Sequence, residues 1–176
     1  MRPYLKDHVA ITAASFAAVE REARLDRFPS SLRPLATRVV HACGMVEVAD
    51  RLAFSPDEQT LYVVESRSDP RTIMAYDVVD GVRLANRRVL IDAGPGGTPD
   101  GFRLDEDGNL WCGWGMGPEH DGVRVFNAAG APIGHIHLPE RCANLCFGGE
   151  RRNRLFMAAS KGLYSLYVGA QGAGLG

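Results

Sequence analysis

No stretch of this 176-residue chain approaches the roughly 20 consecutive apolar residues needed to cross a bilayer as a helix, so no such span is expected. An excess of one charge is lacking too. The 20 basic and 21 acidic residues give a formal net charge of −1, which leaves no electrostatic footprint for nucleic acid or an anionic membrane surface. Cysteine is scarce. Cys43, Cys112, Cys142 and Cys146 are too few and too irregularly spaced for the disulfide framework of a small secreted domain, and a reducing cytoplasm is the expected compartment. Cys142 and Cys146 have the look of a zinc pair, but residues four apart on an extended strand lie about 13 Å from each other, too far for shared tetrahedral ligation. They are read as buried structural thiols. Val9 to Val19 is an apolar stretch, yet charged residues precede it, Glu20, Arg21, Glu22 and Arg24 follow it, and no A-x-A type cleavage site comes after, so it is not read as a signal peptide.

What the chain does have is an ordinary apolar content of 45%, enough for a globular core, distributed in two regions of different character. In residues 1–48, His8 to Leu25 carries Val9, Ile11, Phe16, Ala17 and Val19 among charges in the pattern of an amphipathic helix. Pro29, Ser30, Ser31 and Pro34 interrupt it, a second weak helix can follow, and Leu35 to His41 is a short run of ambiguous type. This segment shows no chemistry.

Residues 49–168 change to short strands separated by turn residues. Leu52 to Phe54, Leu61 to Glu65, Ile73 to Val78 and Leu84 to Ile91 form one group of four. Phe102 to Leu104, Leu110 to Gly115, Val123 to Phe126 and Ile133 to His137 form a second. Asn144 to Phe147, Leu155 to Ala159 and Leu163 to Val168 begin a third without a clear fourth strand, and residues 169–176, rich in glycine, are read as a frayed tail. The groups repeat. Asp50-Arg-Leu-Ala-Phe54, a turn, and then Leu61 recur as Asp100-Gly-Phe-Arg-Leu104 and Leu110, and again as Ala143-Asn-Leu-Cys-Phe147 and Leu155. A four-strand repeat of this length is the mark of β-propeller blades, which bury both sheet faces only by stacking on neighbours. The fold class is therefore all-β, a partial propeller of about three blades behind a short helical segment.

The first strand of each blade is innermost, so Asp50 and Asp100, at equivalent strand starts, converge on the central channel. Two carboxylates sharing one mouth repel unless a proton or a cation neutralises them, and oxygen ligands there suit a hard divalent ion. The alternative is that both are turn aspartates, since Thr98-Pro99 and Asp100-Gly101 are turn chemistry in their own right. His135 and His137, two apart on one strand, face the same way but on an outer strand, where a solvated face is the simpler account. His120 lies in a loop that can fold toward the channel mouth or stay exposed. Trp111 and Trp114 are read as core, sharing one strand face opposite Leu110 and Cys112.

The segments Leu52-Ala-Phe-Ser-Pro-Asp57, Leu61-Tyr-Val-Val64, Asn86-Arg-Arg88, Gly96-Gly-Thr-Pro-Asp-Gly101, Asp105-Glu-Asp-Gly-Asn-Leu-Trp111 and Phe147-Gly-Gly149 stand in the order and spacing of a known family. On them, residues 50 to about 168 resemble the senescence marker protein, gluconolactonase and regucalcin family. The resemblance implies a six-bladed propeller with one divalent ion (calcium, zinc, manganese or magnesium) in the axial channel, hydrolysing a small-molecule lactone to the hydroxy acid. It makes Asp100 both metal ligand and general base. It makes Asp50 the second ligand, where the family has asparagine, and it puts Arg51 where the family has glycine. The family's third ligand, a glutamate of the first blade, has no counterpart before Asp50; Glu20, Glu22 and Glu47 are the nearest substitutes. Three blades leave an open arc. The resemblance thus implies a shortened metal-dependent lactonase, with a catalytically inactive, calcium-binding or interaction fragment as the alternative, and with a helical cap or self-association as ways to cover the open faces.

Overall fold

The computed structural model describes residues 30–42 and 51–174. One helix, α1 (Arg33–Ala42), precedes eleven strands: β1 (Leu52–Phe54), β2 (Thr60–Glu65), β3 (Thr72–Val79), β4 (Arg83–Asp92), β5 (Phe102–Leu104), β6 (Leu110–Trp114), β7 (Gly122–Phe126), β8 (Pro132–His137), β9 (Cys142–Gly148), β10 (Arg154–Ala159) and β11 (Leu163–Tyr167). They form three antiparallel meanders in sequence order: β1 to β4, β5 to β8, and the three-stranded β9 to β11. Each expected strand is present within a residue or two of its expected bounds. The helix expected over His8 to Leu25 lies outside the described residues.

The repeat is also a repeat of register. Phe54 pairs with Leu61, Leu104 with Leu110, and Phe147 with Leu155, the same cross-strand couple in each sheet. The turns that set this register use one device. Between β1 and β2, Ser55 Oγ donates to Asp57, whose carboxylate accepts from the Gln59 amide, and Glu58 takes a positive φ of 61°. Between β5 and β6, Asp105 accepts from the amides of Asp107 and Asn109, and Gly108 takes the positive φ at 78°. Side-chain carboxylates thus satisfy turn amides that no strand partner reaches. In the three-residue β3–β4 loop Asp80 and Gly81 both take positive φ (53° and 66°), and the Val82 amide donates to Val79 O.

Three apolar layers join these elements. The first holds Leu32, Leu35, Ala36 and Val39, one face of α1 at helical spacing, against Leu52, Leu61, Val63 and Met74 of the first sheet. The opposite face of that sheet, with Tyr62, Val64, Ile73 and Ala75, meets Phe102, Leu110, Cys112 and Trp114 of the second. Val123, Trp111 and Ile136 then meet Leu145, Leu155 and Met157 of the third. Alternate residues of each strand serve different layers, as a sheet buried on both faces requires.

One ambiguous run is resolved and three expectations are corrected. The ambiguous run from Leu35 is helix, because its apolar residues fall at i, i+3, i+4 and i+7 and Pro34 sits in the first turn, where its missing amide costs nothing. Trp111 and Trp114 lie on opposite faces of β6: Trp114 joins Leu110 and Cys112 in the second layer, while Trp111 meets Phe147 edge-on in the third, with ring centroids 5.5 Å apart. Residues three apart on a strand cannot share a face. Cys112 and Cys142 are buried thiols as expected, but Cys146 is exposed, on the face of β9 that no further sheet covers. The tail is not frayed through Gly174. Gly172 bridges Asp105, and the amides of Gly172 and Ala173 donate to the carbonyls of Arg152 and Leu104, so the chain returns to β5. Its glycine is what permits this, since a Cβ at 172 would overlap the Phe147 side chain.

Candidate functional site

The strands β1, β5 and β9 lie side by side, bringing together the loops that lead into them. Asp100 stands just ahead of β5, its amide donating to Gly113 O at 3.0 Å while the Gly101 amide donates to Ala143 O at 2.9 Å. The segment before it is fixed as well, because the buried Thr98 hydroxyl donates to Gly115 O at 2.9 Å. Gly101 is required for close approach: a Cβ there would overlap the Asn144 side-chain amide. The Asp100 side chain is only 12% exposed. Backbone on two sides and the neighbouring strand on a third leave its carboxylate one direction to face.

In that direction stand two guanidinium groups. Arg51 Nε donates to Oδ1 of Asp100 at 3.0 Å, and an Nη of Arg141 donates to Oδ2 in a short charge-assisted bond. The Arg51 and Arg141 side chains are 30% and 33% exposed, so each presents part of its surface to solvent. Beside Arg141 an open cleft of about 620 Å³ runs between the β6–β7 and β10–β11 loops, lined by Asp121, Glu140, Arg141, Ser160, Lys161 and Tyr164 among others. Tyr164 donates its hydroxyl to Glu140 at 3.1 Å, while the second oxygen of Glu140 is buried with no partner among the described residues.

The other candidates fall elsewhere. Asp50, Glu20, Glu22, Glu47 and Cys43 lie outside the described residues. His135 and His137 do face the same way on β8, their rings 3.9 Å apart, and burial beside His137 and Arg124 holds the His135 imidazole below its ordinary range. His120 is half-buried, with Nδ1 3.0 Å from Arg124. Burial pushes the Cys142 thiol up to about 11 and the Cys112 thiol higher still, so neither is a ready nucleophile at neutral pH.

Whether a divalent ion suits this site can be judged from the groups present. Both oxygens of Asp100 are taken by arginine, and among the described residues no group of three His, Cys, Asp or Glu side chains is placed to hold a metal. The described residues do not fit a metal centre. Arg51, which stands where the family has glycine, is a neutralising cation. Arg141 was missed. The repeat carried the signal, because Ala143 is the third-sheet counterpart of Asp100 and Arg141 stands two residues before it at the same mouth.

Comparison with known proteins locates the chain. A 56-residue stretch is 52% identical to a precorrin-8X methylmutase of Pseudomonas aeruginosa, covering 32% of this chain and 27% of that protein. Regucalcin of Xenopus laevis is 30% identical over 124 residues, covering 69% of this chain and 40% of regucalcin. A solved gluconolactonase from Xanthomonas campestris superposes with a TM-score of 0.58 at 40% identity, over 66% of this chain and 36% of that one. The chain thus spans less than half the length of each of these proteins. Residues 30–161 match the SMP-30/Gluconolactonase/LRE-like region, three quarters of the sequence. The chain belongs to the SMP-30/gluconolactonase/LRE-like family.

Proposed function

We propose that the chain hydrolyses lactone rings, with Asp100 as general base, and that its three sheets are blades of a six-bladed type propeller. The observation that carries this is the convergence of one nearly buried carboxylate and two partly exposed guanidinium groups at the mouth shared by β1, β5 and β9, beside an open cleft. Gluconolactonases among the relatives give the substrate class. A lactone seated in the cleft presents its carbonyl oxygen to Arg141, whose fixed positive charge stabilises the oxyanion that forms there. An oxygen of Asp100 accepts a proton from water as the water oxygen bonds to the carbonyl carbon. The ring C–O bond breaks, the proton passes from Asp100 to the departing alkoxide, and the open hydroxy acid leaves. Arg51 orients the carboxylate through Oδ1. Each step uses groups of this chain, and no step runs through a metal.

One structural neighbour, 22% identical, is described as a calcium-binding regucalcin, and a divalent ion held by Asp100 and Asp50 is the rival reading. It would require Arg51 to withdraw. A cytoplasmic setting is part of the proposal, supported by free thiols at Cys112, Cys142 and Cys146. No helix among the described residues is long and apolar enough to cross a membrane.

Proton release from a panel of sugar and aliphatic lactones tests the proposal. Saturable turnover of at least one lactone above the spontaneous rate is expected, and no turnover of any of them overturns it. A second reading, self-association through the third sheet, is favoured by one observation: its outer face leaves Leu163 and Tyr167 73% and 71% exposed. Sedimentation of the wild type against Leu163→Asp distinguishes it, a dimer lost in the variant being the expected result.

A further inference from the structure

We infer that Arg51 is a resident cation occupying the place a divalent ion would take at Asp100, so that the chain as it stands is closed to divalent metals and opens when the Arg51 side chain is removed. The inference uses the proposed site but not its turnover.

Three observations lead to it. First, each oxygen of the carboxylate already accepts a hydrogen bond from an arginine. The Asp100 side chain is 12% exposed, Oδ1 accepts from Arg51 Nε at 3.0 Å and Oδ2 from Arg141, while backbone hydrogen bonds on both sides of residue 100 hold the group in place. A hard divalent ion needs such an oxygen at about 2.0–2.6 Å, with others around it, and a guanidinium already lies where that ion would approach. Second, the charge is already compensated. Two guanidinium groups against one carboxylate leave a local excess of one positive charge among the described residues, so an entering dication meets repulsion at close range. Third, the two arginines are not equivalent. Arg141 enters with β9 and lines the cleft, whereas Arg51 immediately precedes β1 and reaches across to the adjacent inner strand's carboxylate. Reducing Arg51 to glycine removes one positive charge, frees Oδ1, and leaves Arg141 and the backbone frame in place.

The test is calorimetric titration of chelator-treated full-length protein with manganese, calcium and zinc, using wild type, Arg51→Gly, and Arg51→Gly combined with Asp100→Asn. Wild type should show no one-to-one binding up to about 1 mM ion. Arg51→Gly should bind one ion at least about ten-fold more tightly than wild type, and adding Asp100→Asn should abolish the gain. Arg51→Gln, which keeps the chain length and removes the charge, should gain in the same direction by less, and it serves if the glycine variant loses its near-UV circular dichroism. Stoichiometric binding by the wild type overturns the inference, as does an Arg51→Gly or Arg51→Gln protein that is folded and no more receptive than wild type. Because calorimetry reads the ion and not the reaction, absence of lactone turnover would leave this result standing.

Discussion

Asp105, not Asp100, is the carboxylate that does most for the fold. Its side chain accepts from the amides of Asp107 and Asn109, from Asn109 Nδ2 at 2.9 Å and from Trp111 Nε1 at 2.9 Å, with the residue only 1% exposed. Asp105→Ala strands these donors in a part-buried turn, and a loss of about 2 kcal/mol is expected, read as a lower urea midpoint at unchanged slope. An unchanged midpoint would contradict it. His135 gives a pH effect of known sign. Its proton affinity in the folded chain is depressed, chiefly by burial and then by His137 and Arg124. Through the range near its ordinary pKa the unfolded chain therefore binds more protons than the folded one, and stability falls as pH falls through that range. The drop in Tm between about pH 7.5 and about pH 5.5 should shrink in His135→Gln; an equal drop in both proteins would assign the acid sensitivity elsewhere.

At the scale of elements, α1 matters because it covers a sheet face. Leu35, 4% exposed, lies against the first sheet, and Leu35→Ala should cost about 2–5 kcal/mol, comparable with Leu61→Ala beneath it. A cost below about 0.5 kcal/mol would mean the helix does not hold that face. The strands were the legible part of the sequence: β-branched and aromatic runs between Gly, Pro, Asp and Ser clusters place all eleven, and the recurring Phe54, Leu104 and Phe147 couples reveal the repeat. Helix α1 was less legible because proline stands at its start and its apolar stripe is short. The side of Trp111, the exposure of Cys146 and the return of the tail depend on which sheet has a neighbour, a property of the stack that no local pattern carries. At the candidate site, Asp100 was legible from the repeat and the Pro-Asp-Gly motif, and Arg51 only through the family resemblance, as a departure from glycine. Arg141 was missed, because its signal lies only in its place two residues before the third-sheet counterpart of Asp100.

The whole molecule is a stack with two unlike ends. At one end α1 lies on the first sheet, which leaves that face already covered in any closed ring. At the other, the third sheet's outer face carries Arg154 over the rings of Phe156 and Tyr167, together with exposed Leu163 and Cys146. Alkylation of the folded protein followed by peptide mass spectrometry should label Cys146 quickly and Cys112 and Cys142 only on unfolding. Equal labelling of all three would contradict this asymmetry. Two likenesses also meet in the chain. The 56-residue stretch shared with precorrin-8X methylmutase is longer than the 29 residues before the family match or the 15 after it, so the two overlap in sequence. The measurement that bears most directly on the account is lactone hydrolysis by wild type against Asp100→Asn, with folding matched by circular dichroism. The account predicts a fall in kcat of about 100-fold or more in the variant; equal rates in the two proteins would remove Asp100, and with it the proposed chemistry.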